Sequence, residues 1–425
     1  MRSAMLVLAL ASAAACGGGS GSPGARPGME PGGGASGGPA AGPGGGSGAP
    51  GGASASLDLL DDAGDCAGLV PDRVPPPVLI RRSVPAGSAC IGGTSDGTGA
   101  IAIGARDAAG ATSWQAYAAD GSARGLFAAD APLLPEPSGW QAIVASGPQG
   151  AEAPEVQVAA FAPDGAVARR ETVSPDPARS VYVRWSLARD PSGGSLVALR
   201  SSALAGNHWS SVEAQRLDAS GAPAWPGGAD VRTVDSASEP LFLAGGVSVR
   251  GEALVLSQHS ASLDVSWLDP RTGAPIPGSS AERAEPFSGV TGDGIAPAVE
   301  LHPLLDGSIA VRSDGTFRRS YARLATLSSP LPAWLAERAR FTFRFTRGGA
   351  GYAALPPAGE ASADCAQRIE LVSPSGRLCG RVVLREGGGA CTTGTVDQGW
   401  DGTVVQQSGR NSCHYRWWPR LLAKE

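Results

Sequence analysis

The strongest constraint on how this chain folds is a motif that recurs about every 50 residues from residue 90 to the C-terminus. Each copy has a turn rich in aspartate and glycine that leads into a short apolar run, as in "SDGTGAIAIG" and "LLDGSIAVRS". The glycines that mark the copies are Gly99, Gly139, Gly194, Gly251, Gly307, Gly351 and Gly402. A second series of turns follows the first in the same order, as in "VQVAAFAPDGAV". Two series in step indicate one structural unit that occurs seven times.

Each unit has the pattern of four short strands joined by a tight hairpin, a variable loop and a second hairpin. Alternation is clearest in "RFTFRFTR", where Phe341, Phe343 and Phe345 share one face of a strand. Four strands at this period are typical of a β-propeller blade. We therefore predict an all-β fold, a single seven-bladed β-propeller over residues 90–425, with six or eight blades as alternatives. One helix is predicted, starting at Pro332.

A propeller must also close its ring, and the seventh unit ends one strand short. Residues 77–84, "PVLIRRSV", form a strand pattern before the first complete unit, within an N-terminal segment at 57–89. We predict that this strand fills the outer place in the last blade and joins the two ends of the chain. Cys90 and Cys391 occupy matching points in the first and seventh units, so a disulfide near this seam would reinforce closure.

The unit "VEAQRLDASGAPAW" resembles the tandem propeller repeats of secreted bacterial proteins, in which the third strand ends in a turn and an aromatic residue follows on the fourth. The resemblance covers residues 90–425. It implies a shape and no particular activity.

The first 15 residues have the three parts of an export signal: a charged start, an apolar core and small residues before a cleavage point. Ala13, Ala14, Ala15 and Cys16 resemble the end of a bacterial lipoprotein signal, which implies a lipid on Cys16 and a membrane anchor at the outer membrane or cell surface. Ala13 departs from the usual leucine, and the same residues suit the ordinary signal peptidase. A soluble secreted or periplasmic protein is therefore the alternative.

Residues 16–56 carry almost no large apolar side chains, so this segment is predicted to be a disordered tether. The aspartates of "LDLLDDAGD" follow at 57–65. They lack the order of a calcium-binding loop, and we interpret them as a solvated cap on the fold.

Cysteine parity supports the lipid anchor, because six of the seven cysteines remain when Cys16 is set aside. The six predicted to form disulfides are Cys66, Cys90, Cys365, Cys379, Cys391 and Cys413. They allow fifteen pairings. Nearness in sequence favours Cys66 with Cys90 and two bridges among the last four. Zinc is not expected, since the spacings lack short C-x-x-C pairs, and no other cofactor or metal is predicted.

No catalytic motif stands out. Ser95 in "GTSDG" fits the G-x-S-x-G pattern but lies between two strands, where a nucleophile elbow is not expected. Four acids occupy turn positions of the repeat, where aspartate already has a structural role: Asp96, Asp190, Asp306 and Asp401. The chain is therefore predicted to be non-catalytic. The alternative, a propeller hydrolase or lyase acting on polysaccharide, requires carboxylates that converge on the axis.

The variable loops share one face of a propeller and hold the candidate binding residues. These are Arg200, His208, Trp209, His259, Arg312, Asp314, Arg318 and Arg319. Their arginines favour an acidic partner, namely an anionic glycan or an envelope protein. Ordinary exposed loop residues are the alternative interpretation. The net charge of −5 argues against nucleic acid, and a monomer is expected.

Overall fold

Seven small antiparallel sheets follow one another along the chain in a computed structural model of the protein. The structure describes residues 54–129, 132–145, 155–173, 180–203, 209–235, 242–259, 262–283, 299–359, 366–385, 394–409 and 412–423. The first strands of successive sheets contact one another around a common axis. The fold is therefore a seven-bladed β-propeller, as the repeat predicts.

The strands are numbered along the chain. Two precede the first blade: β1 (Ser54–Leu59) and β2 (Val78–Arg81). Blade 1 contains β3 (Ala89–Ser95), β4 (Ile101–Arg106), β5 (Thr112–Tyr117) and β6 (Ala123–Ala128); blade 2 contains β7 (Leu134–Glu136), β8 (Gly139–Ala145), β9 (Val156–Phe161) and β10 (Val167–Thr172). Blade 3 contains β11 (Ser180–Arg189), β12 (Ser195–Ala203), β13 (Trp209–Leu217) and β14 (Ala229–Asp235); blade 4 contains β15 (Phe242–Val247), β16 (Ala253–His259), β17 (Ser262–Leu268) and β18 (Pro275–Arg283).

The last three blades are less regular. Blade 5 contains β19 (Val299–Pro303), β20 (Ile309–Ser313) and β21 (Thr316–Tyr321); blade 6 contains β22 (Thr342–Phe345), β23 (Tyr352–Leu355), β24 (Ala366–Val372) and β25 (Leu378–Arg385); blade 7 contains β26 (Val396–Gln398), β27 (Val404–Gln407) and β28 (His414–Trp418). The helix predicted from Pro332 is a single turn, α1 (Ala333–Ala336). Two 3-10 turns lie at Gly64–Cys66 and Arg347–Gly349.

Four of the seven hairpins after the inner strands, those of blades 1, 3, 5 and 7, are built alike, because an aspartate closes each of these four. Asp96, Asp190, Asp306 and Asp401 each accept a hydrogen bond from the backbone N–H two residues further on, at 2.8–3.0 Å. This is the Asx turn, in which a carboxylate replaces a backbone carbonyl. The structural role predicted for these four aspartates is confirmed.

The N-terminal segment closes the ring. Strand β2 pairs antiparallel with β28 and becomes the outer strand of blade 7, which confirms the predicted closure. Strand β1 pairs antiparallel with β25 and adds a fifth, outermost strand to blade 6. The sequence did not predict β1, whose first residues, Ser54 to Ser56, fall in the segment assigned to the tether.

Two disulfides reinforce the closure: one fastens the N-terminal segment to blade 6, and the other fastens blade 1 to blade 7. Cys66 is bonded to Cys379 of blade 6, and Cys90 is bonded to Cys413 of blade 7, with Cα separations of 5.4 and 5.3 Å. The pairing of Cys66 with Cys90 suggested by nearness is wrong, because closing the ring brings together residues more than 300 positions apart. Cys365 and Cys391 lie outside the described residues. Disulfides of this kind are typical of an oxidising compartment outside the cytoplasm.

The core lies between blades. Aromatic side chains fill the gaps: Phe127 of blade 1 stacks on Trp140 and Phe161 of blade 2. Phe343 packs edge-on against Phe317 of blade 5. The predicted shared face of "RFTFRFTR" is confirmed, since the phenylalanines at 341, 343 and 345 belong to one apolar cluster. Each blade is therefore stabilised by its neighbours.

Candidate functional site

Side chains from four blades meet on the propeller axis. Arg189, at the end of β11 in blade 3, places its guanidinium 3.5 Å from the ring centroid of Trp400 in blade 7. Its charge also interacts with Glu136 of blade 2, Arg344 of blade 6 and Asp397 of blade 7. Blades 3 and 7 are not neighbours in a ring of seven, so this contact must cross the axis. We call these five residues the axial cluster.

The repeat itself brings the cluster together. Glu136 and Arg189 are the last residues of the inner strands β7 and β11. Trp400 lies in the equivalent hairpin of blade 7, where its backbone N–H donates to the Ser95 carbonyl at 3.3 Å. Arg344 and Asp397 come from the inner strands β22 and β26. The cluster therefore lies toward the end of the channel where the tight hairpins are found.

Arg189 has acids in its surroundings, but its guanidinium forms no hydrogen bond with any described residue. Burial is the main cause that lowers the pKa of its guanidinium to about 9, and repulsion from Arg344 adds to it, whereas Glu136 and Asp397 act in the opposite direction. The guanidinium donates no hydrogen bond to any described residue, and its Nε is buried. Its contact with Trp400 is a cation–π interaction, which leaves the N–H edge of the guanidinium uncommitted.

Glu136 is the most perturbed acid of the cluster. Its side chain is 6% exposed. Burial raises its pKa to about 7, although the charges of Arg189 and Arg169 and the backbone N–H of Gly194 partly offset that effect. Its Oε1 is buried and accepts no hydrogen bond within the described part of the chain. Near neutral pH the group is therefore close to half protonated.

Asp397, in contrast, is paired. Arg344 Nη2 lies 3.2 Å from Asp397 Oδ1, and the two side chains are 32% and 24% exposed. Both groups thus retain contact with the water of the channel.

A second polar group adjoins the cluster on blade 5. His302 donates from Nε2 to Glu300 at 2.9 Å, and Arg312 lies 3.2 Å from the same carboxylate oxygen. Burial favours a higher pKa for Glu300, but His302, Arg312 and Arg344 outweigh it and lower the pKa to about 2. Burial lowers the pKa of His302 below its usual value. Arg344 therefore connects this group electrostatically to the axial cluster.

The predicted binding residues are not brought together as a set. Arg312 joins the Glu300 group. Asp314 is exposed in the turn between β20 and β21, with φ of 51°, and Arg318 is exposed on β21. Arg319 on the same strand is half-buried. The hairpin of β20 and β21 thus carries four of the eight.

The other four depart from the prediction or lie beyond description. Arg200 was expected on an exposed loop, but it lies inside strand β12 with 1% exposure, and its charge interacts with Asp264 of blade 4. That expectation is wrong, because the strand continues past the point where the sequence pattern suggested a loop. Trp209 begins β13 and His259 ends β16, and their side chains are outside the described part. His208 lies outside the described residues.

Ser95 has no surroundings suited to a nucleophile. Its side chain is fully buried at the end of β3. The hydroxyl lies 3.3 Å from the Asp96 carbonyl and 3.4 Å from Asp401 Oδ1. No histidine among the described residues hydrogen-bonds to it. Its contacts belong to the hairpins that join blades 1 and 7.

The described residues show neither a metal centre nor a membrane-spanning helix. They contain no group of three or more potential metal ligands. None of their helices has the length and apolarity needed to cross a membrane.

Comparison with known proteins gives only distant matches. No family model matches the chain, and no curated protein matches it. The Dos1 propeller matches at 9% identity and a TM-score of 0.37, over 77% of this chain and 76% of its own. An alpha-L-arabinanase from Penicillium chrysogenum, complexed with arabinobiose, matches at 12% and 0.36, over 74% and 98%. Prolyl oligopeptidase B from Galerina marginata matches at 6% and 0.39, over 75% and 46%. Matches this distant assign no activity.

Proposed function

We propose that the protein is a non-catalytic binding propeller, active outside the cytoplasm, with the axial cluster as its binding site. One observation carries the proposal: Arg189 is a half-buried cation whose Nε is buried and whose guanidinium donates no hydrogen bond to any described residue. Burying a charge without a partner is costly, and folded proteins rarely retain one without a use. A bound anion supplies the missing acceptor.

The pairing of the acids favours binding over catalysis. Glycoside hydrolysis needs one protonated acid and one carboxylate free to act as base or nucleophile. Asp397 is committed to Arg344, and Glu300 is committed to Arg312 and His302. Carboxylates held by cations are weak bases. Their arrangement supports a fixed set of charges that orients a ligand.

The partner and the location complete the proposal. We propose an anionic glycan or an acidic envelope protein as the partner of a monomeric propeller. A lipid on Cys16 holds the protein at the membrane, and the following segment gives the propeller reach. The disulfides support export.

A binding screen tests the proposed function. The mature protein is applied to an array of envelope glycans and to immobilised envelope proteins, beside R189Q and the control R124Q. Arg124 is exposed on the outermost strand of blade 1, away from the axis. We expect binding by the wild type and R124Q and loss of binding by R189Q. Absence of any bound component in either screen contradicts the proposed function.

The membrane anchor has a separate test. Mass spectrometry of the mature N-terminus from membrane fractions is expected to show a diacyl or triacyl modification on Cys16. The variant C16A is expected in the soluble exported fraction. An unmodified N-terminus at Ala14 or Cys16 refutes lipidation and leaves plain secretion.

A polysaccharide hydrolase or lyase is the second candidate, and Glu136 is the observation that favours it. A carboxyl group with a pKa of about 7 is suited to donate a proton at neutral pH. Incubation with acidic and neutral polysaccharides tests this role. Release of shorter products by the wild type, with loss in E136Q, establishes the enzyme, and unchanged polysaccharide excludes it for those substrates.

A further inference from the structure

We propose that the axial cluster binds a uronic acid residue of a polysaccharide, with its carboxylate on Arg189 and one of its hydroxyls on Glu136. This inference rests on the proposed binding function and specifies the ligand of the same site. It follows from two side chains that interact electrostatically on the axis: the Arg189 guanidinium, which lacks a hydrogen-bond acceptor, and the Glu136 carboxyl, which lacks a hydrogen-bond partner at Oε1.

The first group is the Arg189 guanidinium, which needs an anionic acceptor. Its face is covered by the Trp400 ring at 3.5 Å, so the ring fixes the plane of the guanidinium. A stacked guanidinium still presents its N–H groups at the edge, in the fork that matches a carboxylate. Two described acids interact with Arg189: Asp397 is already paired with Arg344, and Glu136 is close to half protonated near neutral pH. The ligand must therefore bring a negative charge.

The second group is the Glu136 carboxyl, which lacks a partner for Oε1. With a pKa of about 7 it is able to accept a hydrogen bond when ionised and to donate one when protonated. A hydroxyl group satisfies it in either state. A second carboxylate does not, because it would meet Glu136 and Asp397, which both bear negative charge when ionised. The ligand must therefore bring hydroxyls as well.

A uronic acid carries one carboxylate and several hydroxyls on a single ring, and so it meets both needs at once. A neutral sugar leaves the Arg189 guanidinium without an anionic hydrogen-bond acceptor, and an unmade hydrogen bond at its buried Nε is costly. An acidic peptide supplies carboxylates at short spacing but no hydroxyl for Glu136. The cluster thus selects a uronate over both.

Isothermal titration of the full mature protein with three probes tests the inference. The probes are trigalacturonate, the neutral galactotriose and triglutamate. We expect trigalacturonate to bind at pH 7, and the two other probes to bind at least about tenfold more weakly, since one charge-assisted hydrogen bond is worth about this factor. Equal binding of galactotriose overturns the role of the carboxylate. Equal binding of triglutamate overturns the assignment to a sugar.

Variants separate the role of Arg189 from a general effect on the fold. R189Q is expected to weaken trigalacturonate binding about tenfold or more. R189K keeps the charge and loses the planar fork, so a smaller loss is expected. R124Q is the matched control and is expected to bind like the wild type. Circular dichroism melting of each variant establishes that it is folded, and a folded R189Q with unchanged affinity overturns the inference.

The proposed function and this inference fail in different ways. One outcome is that the screen finds a glycan or envelope protein whose binding requires Arg189 while trigalacturonate does not bind. That result supports the proposed binding function and contradicts the assignment of the ligand as a uronate. If no component of the screen binds and no probe binds, both fall.

Discussion

The guanidinium of Arg189 lies 3.5 Å from the ring centroid of Trp400, and this single contact joins blade 3 to blade 7 across the propeller axis. Most contacts in a propeller hold neighbouring blades together. A contact across the axis instead fixes the position of a charge inside the channel. It makes the end of the channel near the tight hairpins a polar site rather than an empty opening.

The buried Glu136 predicts a specific dependence of stability on pH. Its pKa in the folded protein is about 7, above the ordinary value of 4.5, so the folded state holds this proton more tightly than the unfolded state does. The contribution of this proton to the free energy of unfolding is fully present below about pH 4.5 and is lost as the pH rises through 7. At about 1.4 kcal/mol per pH unit, the wild type should lose about 3 kcal/mol relative to E136Q between pH 5 and pH 8.

Urea unfolding at several pH values measures this difference. E337Q serves as the control, because the Glu337 side chain is 72% exposed. Its stability relative to the wild type is expected to change little over the same range. A constant difference between the wild type and E136Q at all pH values contradicts the burial of Glu136.

The hairpin aspartates should differ sharply in their importance. Asp96 is fully buried and accepts hydrogen bonds from the backbone N–H groups of Thr98, Ala100 and Gly139, the last of which belongs to blade 2. D96A leaves these donors unsatisfied and is expected to cost about 3 kcal/mol or more of unfolding free energy. D164A removes one exposed bond to Ala166 and should cost about 1 kcal/mol or less. Equal effects on denaturant unfolding contradict the role of Asp96 between blades.

Ring closure by strand β2 predicts opposite results at two adjacent residues. Ile80 is 8% exposed and packs in the cluster shared by blades 7 and 1, whereas Leu79 on the other face is 70% exposed. I80N is expected to lower the unfolding free energy by about 2–5 kcal/mol. L79N should change it by about 0.5 kcal/mol at most. Thermal melting of the pair is the measurement, and similar melting temperatures are incompatible with this strand in blade 7.

The disulfides predict both a peptide map and a stability effect. Non-reducing digestion is expected to yield a peptide linked through Cys66 and Cys379 and another linked through Cys90 and Cys413. The double variant C66A/C379A should lose about 2–5 kcal/mol, because the bridge closes a long loop in the unfolded chain. A peptide joining Cys66 to Cys90 would contradict the observed arrangement.

The sequence predicted the parts of this fold that repeat. Four of the seven inner hairpins share the same aspartate turn, so blade number, strand order and the structural role of Asp96 and its equivalents were visible in one sequence. The closing strand was also predictable, because the seventh repeat has one strand too few and the ring closes only when the N-terminal strand completes that blade.

What the sequence did not predict depends on closure in three dimensions. The disulfide partners are neighbours only once blade 7 meets the N-terminal segment, so nearness along the chain pointed to the wrong pairs. Glu136, Arg189 and Trp400 were missed for the same reason, because residues 53 to more than 200 positions apart meet only at the axis. A usable signal was present: Glu136 and Arg189 both end an inner strand, immediately before its hairpin.

We propose that the axial cluster binds a ligand through Arg189 without chemically altering it. The most direct measurement titrates the component selected by the screen into the wild type, R189Q and R124Q, then recovers that component and determines its size. We expect one binding site per protein in the wild type and in R124Q, and an affinity about tenfold or more lower in R189Q. We also expect the component to be recovered intact. Unchanged affinity in folded R189Q, or recovery of shortened products, would contradict it.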